Sequence, residues 1–337
     1  MKYKPFLSIC ILSYNRPKHL EKLIKSIDLK KNFSYEIIVN DDFSPKRLSI
    51  KKAIKSLNDP KIKFFQHNKN LGYDSNLITL VNKASGKWII FMGDDDEFIS
   101  NSLNRLYSFL KANSNLGYVL KSHALIHESG DIEYYRYFNK THYFSSGFDS
   151  YISLFRKSVF ISGFTIRSDV AKKYITNKFK GTLLTQIYLL AESCLHYDSA
   201  YFDVPLTQQF INKDHDLDDV MLDKNNKLVK RKPTIDMSLD FLNSFKKITD
   251  FIDLKYNLKS SKIIKKDMSK YFYPSLSVHR EEGFFHFIKY VYLLIKSGFG
   301  ITVYFYIYFF GLALLNKKNC DKIIFNIKRY LKYTPKL

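Results

Sequence analysis

Short, densely apolar runs alternate with amphipathic stretches over the first 120 residues. Phe6 to Leu12, Tyr35 to Asn40, Lys61 to Gln66, Lys87 to Met92 and Gly117 to Lys121 read as strands. Between them, Pro17 to Ile27, Leu48 to Leu57, Ser75 to Lys83 and Ser102 to Lys111 carry helical spacing. Strands alternating with helices predict an α/β fold with a mostly parallel central sheet and helices on both faces. In such sheets ligands bind beyond the carboxyl ends of the strands.

Three polar clusters fall at those ends: Ser13 to Arg16, Asp41-Asp42, and Gly93-Asp94-Asp95-Asp96-Glu97. Taken alone, the acidic run has two readings. It can be a solvated turn that opens the next helix, because acids are favoured near a helix N-terminus. It can equally be a cation site, because clustered carboxylates repel one another unless a cation sits among them, and hard divalent ions take oxygen ligands. The other two clusters, predicted to lie at neighbouring strand ends, favour the cation site. Mg2+ is usually held by one or two carboxylates plus substrate phosphates, which points to a phosphorylated substrate. Trp88, inside an apolar run, reads as core.

The pattern changes after residue 121. A hairpin is expected around Ser129-Gly130-Asp131, a short strand near Val159 to Ile166 and a helix from Leu183 to Leu195. A polar, turn-rich loop follows from Asn212 to Lys232, and helical periodicity dominates from Thr234 on. The resulting division is 1–120 and 121–210 of one domain, a flexible loop at 211–235, and a helical region at 236–337 with apolar segments within 284–334. Gly298 to Leu315 is an uncharged, mostly apolar run of 18 residues, the lower edge for spanning a bilayer. Three readings stand: helices lying in a membrane surface, one spanning helix, or a buried helix. Tyr304, Tyr306 and Tyr308 favour the surface. The last helix, Asp321 to Tyr333, is amphipathic, setting Ile323, Ile324, Ile327 and Leu331 against basic residues.

Charge and composition narrow the partners. The chain of 337 residues carries a net charge of +22 and is 45% hydrophobic, enough for a sizeable core. From Lys259 onward there are 15 Lys or Arg against four acids, a net +11 that flanks apolar runs. That interleaving suits an anionic membrane surface better than nucleic acid. Cys10, Cys194 and Cys320 lack metal-type spacing and read as buried free thiols. The first twelve residues read as a strand and not as a signal peptide, since Ser13-Tyr14-Asn15-Arg16 stands where a cleavage site would lie.

Four stretches together resemble the family 2 glycosyltransferases of the GT-A fold: Ser8 to Arg16, Glu36 to Ser44, Asn70-Leu71-Gly72, and Gly86 to Asp96. Within that family the chain is most similar to the O-antigen branch that includes abequosyltransferases, with Gly181 to Tyr188 matching a later helix start. The resemblance covers residues 1 to about 210 and weakens after 120. It implies a GT-A domain, a Rossmann-like sheet followed here by a helical, membrane-associating region. The implied activity moves a hexosyl or deoxyhexosyl unit from a nucleotide-diphosphate sugar to a lipid-linked oligosaccharide or other glycan in surface-polysaccharide biosynthesis, such as O-antigen, lipopolysaccharide or capsule. The expected place is the cytoplasmic face of the inner membrane.

By the same resemblance, Tyr14 packs on the base, and Ser13 and Asn15 line ribose or phosphates. Asp42 accepts hydrogen bonds from base or ribose, Asp41 supports its turn, and Asn70 belongs to the donor site. Asp94 contacts ribose and a metal-bound water, and Asp95 is the direct ligand of Mn2+ or Mg2+. Asp96 orients the acceptor or the loop. Family members that invert configuration place an acid at the start of a later helix as general base. Here Gln186 stands there and cannot accept a proton, so the base is unassigned, with Asp169, Glu192, Asp198 and the loop residue His215 as candidates. Arg167 and Lys172-Lys173 are candidate diphosphate ligands or a solvated face.

Two rivals remain. A nucleotidyltransferase would be expected to show a glycine-rich loop after the first strand, and Ser13 to Pro17 has no glycine. A basic membrane-binding protein without catalysis would owe everything to its charge.

Overall fold

In this computed structural model, which describes residues 4–210, 220–222, 228–230 and 233–331, the chain divides into two units, 1–230 and 231–337. The first unit is built on a ten-stranded sheet. The predicted strands appear as β1 (Leu7–Ser13), β2 (Tyr35–Asp41), β3 (Ile62–Gln66) and β4 (Trp88–Gly93), joined by helices α1 (Pro17–Lys25), α2 (Arg47–Leu57) and α3 (Tyr73–Lys83). They pair in parallel in the order β3-β2-β1-β4.

Burial explains why this part was legible. Every residue of β1 is buried, and Leu7, Ile9 and Ile11 meet Leu20, Leu23 and Ile24 of α1 in one core with Trp88, Ile90 and Met92 of β4. Burying a side chain of this size contributes roughly 1.5–3 kcal/mol. Pro17 opens α1 at a position where a helix needs no N–H partner. Helix α4 (Ser102–Ala112), reached through the two-residue strand β5 (Glu97–Phe98), adds Leu103, Leu106 and Leu110 to the same core. All three cysteines are free and buried, as expected from their spacing.

Beyond β4 the sheet is mixed. Strand β6 (Tyr118–Ile126) extends five residues past the expected end at Lys121 and turns at Gly130 into β7 (Ile132–Tyr135), the hairpin foreseen around Ser129. Strand β8 (His142–Phe144) and helices α5 (Phe148–Leu154), α6 (Ser168–Tyr174) and α7 (Thr185–His196) follow. Strand β9 (Phe164–Arg167) lies antiparallel between β4 and β6, and β10 (Ser199–Phe210) runs parallel to β6. Two antiparallel steps therefore leave β6 pointing the same way as β4, so both bring their later residues to one end of the sheet.

Within the stretch expected to be a loop, Val220–Leu222 pairs with Leu228–Lys230 as a two-stranded hairpin. The second unit is helical over Ile235–Tyr256, Ser260–Ser269, Tyr273–Glu281, Phe284–Lys296 and Val303–Leu331. Thr234 caps the first of these by accepting from the Met237 N–H. The last is broken at Asn316, whose φ of 60° is left-handed. Among the described residues no helix is long and apolar enough to cross a membrane, which removes the spanning reading of Gly298 to Leu315 for them.

Candidate active site

The register of the central strands sets Ser13 beside Asp41 and Leu12 beside Gly93, so the three polar clusters emerge side by side. The acids at the end of β4 are met by groups from the end of β1. The Tyr14 N–H donates to Asp94 Oδ2 at 2.7 Å. Arg16 Nη1 stands 3.3 Å from Asp94 Oδ1 and 3.0 Å from Asp95 Oδ2, a guanidinium shared by two adjacent carboxylates. A Cβ on Gly93 would meet Asp95 Oδ1 at 2.9 Å and Ser162 Oγ at 3.3 Å, so a larger residue there would displace the Asp95 carboxylate.

Asp94 is buried, and burial, then the charge of Asp95, pushes its pKa up to about 7 against the opposing pull of Arg16 and the Tyr14 N–H. Asp96 is pushed up in the same way, first by burial and next by Asp95. One oxygen of Asp96 accepts from the Ser162 hydroxyl, while Oδ1 is buried without a hydrogen-bond partner.

Around the β2 end, Asp41 accepts from the N–H and hydroxyl of Ser44 and from Gln66 Nε2 at 2.8 Å, which ties the turn down. Asp42 takes the N–H groups of Leu71 and Gly72, each at 2.8 Å, and so fixes the turn that starts α3. Asn70 Oδ1 also accepts from the Gly72 N–H. Asn15 sits in the left-handed region at φ 62° and links the two loops, donating its N–H to Ser44 Oγ and accepting from the Lys46 N–H. Tyr14 is 46% exposed beside these groups, while Ser13 Oγ is buried without a partner.

The start of α7 is held by Asp74 of α3. Its carboxylate accepts from the Leu183 N–H at 2.9 Å, the Thr185 N–H at 3.1 Å and the Thr185 hydroxyl at 2.7 Å. Leu183 is held there with a left-handed φ of 61°, a conformation uncommon for a branched side chain. Gln186 follows, buried, with Nε2 donating to the Val159 carbonyl at 3.2 Å and Oε1 unpartnered. The segment 159–163 thus links Gln186, through Val159, to Asp96, through Ser162.

The candidates for the missing base do not gather there. Because β9 runs antiparallel to β4, Arg167 lies beside Trp88 at the opposite end of the sheet, and Asp169 pairs with Arg167 at 2.7 Å. Asp198 caps Ser146 just before β10 begins beside Tyr118, again at that far end. Glu192 is wholly buried within α7, 3.7 Å from His196. His215 lies outside the described residues. The reading of Arg167 and Lys172 as diphosphate ligands is corrected on the same ground: Lys172 bonds the Ala84 carbonyl at that end of the sheet. Conversely, sequence reasoning passed over Arg16, Asp74 and Ser162. The signal for Arg16 was its place three residues past β1, opposite an acidic run; Asp74 and Ser162 gave none.

As to a cation, among the described residues no three His, Cys, Asp or Glu side chains converge to cage one unaided. The donor set is nevertheless of the right kind, since Asp94 and Asp95 offer carboxylate oxygens and Mg2+-type ions commonly take only one or two from the protein.

Residues 8–166 match the model of glycosyl transferase family 2. A GalNAc(5)-diNAcBac-PP-undecaprenol beta-1,3-glucosyltransferase of Campylobacter jejuni is 35% identical over 131 residues, covering 38% of this chain and 41% of that protein. Abequosyltransferase RfbV of Salmonella typhimurium is 31% identical over 114 residues, covering 33% of this chain and 34% of its own. The chain therefore spans less than half the length of these curated relatives. The structure of S. aureus TarS 1-349 in complex with UDP superposes with a TM-score of 0.57 at 13% identity, covering 94% of this chain and 91% of that one. The UDP-GlcNAc complex of the same protein gives 0.56 at 16% identity, covering 79% and 72%. At these identities the likeness is one of fold, and the fold is GT-A.

Replacing Asp74 by Ala leaves the buried N–H and hydroxyl of Thr185 and the part-buried N–H of Leu183 without their carboxylate. The expected loss is roughly 2–4 kcal/mol of unfolding free energy, measured by urea denaturation, with Asp74→Asn losing less.

Proposed function

We propose, from a chain whose residues 8–166 match the model of glycosyl transferase family 2, that it moves a sugar from a nucleotide-diphosphate donor to a lipid-linked saccharide in surface-polysaccharide biosynthesis. The observation that carries the reading is the meeting of Asp94 and Asp95 with Arg16 at adjoining strand ends, beside exposed Tyr14. The names of its relatives support the acceptor class: one acts on an undecaprenol-linked glycan and another is an abequosyltransferase. The complexes of TarS with UDP and UDP-GlcNAc support the donor class.

In this reading Tyr14 packs on the base, and Ser13, Asn15, Asp41, Asp42 and Asn70 form or support the nucleoside pocket. Asp95, with Asp94, holds Mn2+ or Mg2+. A divalent ion there supplies Lewis-acid neutralisation of the departing diphosphate. Arg16 keeps the two carboxylates together and sets their approach to β1. Asp96 steadies the segment 159–163 with one oxygen and offers Oδ1 to a substrate hydroxyl, while Gln186 offers its amide carbonyl. The group that takes the acceptor proton is not assigned.

We place the protein at a membrane surface through its second unit. Phe285, Tyr292, Val303, Tyr304, Ile307, Phe310 and Leu314 are large apolar side chains left exposed, Phe285 by 87%. The same helices carry Lys289, Lys296 and Lys317, and apolar area interleaved with cations binds anionic interfaces.

Asp95→Ala is expected to lower metal-dependent turnover of a nucleotide sugar at least about 100-fold, with the melting temperature held near wild type. An unchanged rate would remove Asp95 from the chemistry. Phe285→Glu with Leu314→Glu should abolish cosedimentation with phosphatidylglycerol vesicles. Binding equal to wild type would refute the membrane face.

A further inference from the structure

Lys121 of β6 is the strongest unexplained group in the first unit. The residue is only 4% exposed, yet its ammonium makes no hydrogen bond or ion pair with a described residue; Nζ lies 4.2 Å over the Phe160 ring. Burial lowers its pKa to about 7 and only the charge of Asp96 opposes this. A buried ammonium is costly unless something pairs with it. Were Lys121 present only to neutralise Asp96, packing would favour closing the pair to contact, because a buried ion pair holds only with good geometry.

The surroundings are built to keep the lysine where it is. Gly163 has a left-handed φ of 86°, and a Cβ there would strike Lys121 Cε at 2.7 Å. Phe160 meets His123 at 4.7 Å with the rings tilted by 40°, and His123 stacks in turn on Tyr135 at 4.8 Å with the rings 1° from parallel. His123 and Tyr135 are partly open to solvent. Since β6 runs in the direction of β4, this aromatic wall stands at the same sheet end as Asp94 to Asp96.

One segment, 159–163, gathers two buried oxygens left without a hydrogen bond and the lysine whose ammonium faces only an aromatic ring. Phe160 lies under Lys121, Ser162 holds Asp96 with Oδ1 unpartnered, and Val159 holds Gln186 with Oε1 unpartnered. They offer one multiple donor and two acceptors beside a flat aromatic face. A water or a simple anion answers only part of that set. A sugar ring answers all of it: its hydroxyls both donate and accept, and its C–H face lies on aromatic rings.

We propose that Lys121 and Phe160, with Asp96 and Gln186, form a saccharide-binding subsite in which Lys121 reads ring hydroxyls and so sets sugar specificity. This rests on the transferase reading above and adds to it the residues that select the sugar. The ring can be the glycosyl unit of the donor or the terminal sugar of the acceptor, and binding experiments separate the two.

Calorimetry on the full chain would compare wild type, Lys121→Met and Phe160→Leu with three probes in Mn2+: a nucleoside diphosphate, the matching nucleotide sugar, and methyl glycosides added in the presence of the diphosphate. Both variants should bind the diphosphate within about twofold of wild type. They should weaken by roughly tenfold either for the nucleotide sugar, which identifies the donor ring, or for a methyl glycoside, which identifies the acceptor ring. Thermal unfolding checks that each variant is folded, and Lys121→Gln replaces a variant that is not. The subsite is overturned if both sugar probes bind unchanged, or if the bare diphosphate weakens by the same factor. Failure of wild type to bind any nucleoside diphosphate would instead bring down the transferase reading on which the subsite rests.

Discussion

Three consecutive carboxylates at the end of a buried strand cannot stand together without positive charge, and Arg16 is the protein's own answer. Its guanidinium bridges Asp94 and Asp95, while the neighbouring Tyr14 N–H takes the other oxygen of Asp94. Those contacts fasten the end of β1 to the end of β4. Once that junction is made, the β1 loop is tied through Asn15 to Ser44, Asp42 fixes the start of α3, and Asp74 of α3 fixes the start of α7. Each link is a polar group bound to backbone N–H, so the site is held by directional bonds above an apolar core, and geometry passes from one loop to the next.

The cost of this arrangement is concentrated in the acids. Asp94 and Asp96 are both pushed up by burial and by Asp95 between them, and Arg16 and Lys121 only partly offset that. An incoming cation and a sugar hydroxyl are the ligands that would relieve it. Function and local instability thus share one origin, as expected where buried charge is kept for chemistry.

How much was legible in the sequence follows from what each element depends on. Strands β1, β2 and β4 are buried along nearly their whole length, so their apolar runs announce them, and the shared direction of β1 to β4 put Ser13, Asp41 and Asp94 at one end. The four-residue β9 is different. Its antiparallel insertion between β4 and β6 comes from tertiary pairing that no local pattern encodes, and that reversal is why Asp169 falls at the wrong end of the sheet to serve as a base. Arg16 was visible as a residue, but its partners lie some 80 positions away in sequence. The break at Asn316 was likewise hidden, since the apolar pattern continues across Gly298 to Leu315 and gives no sign of a left-handed residue just beyond.

The central claim is that the corner built by Asp94, Asp95 and Arg16 holds the diphosphate end of a nucleotide sugar. The most direct measurement is a crystal structure of the protein with Mn2+ and a bound nucleoside diphosphate, using anomalous scattering to place the ion. The account predicts Mn2+ about 2 Å from an Asp95 oxygen, touching the diphosphate, with the base against Tyr14. A nucleotide bound elsewhere on the chain, or an ion that does not contact Asp95 or Asp94, would contradict it.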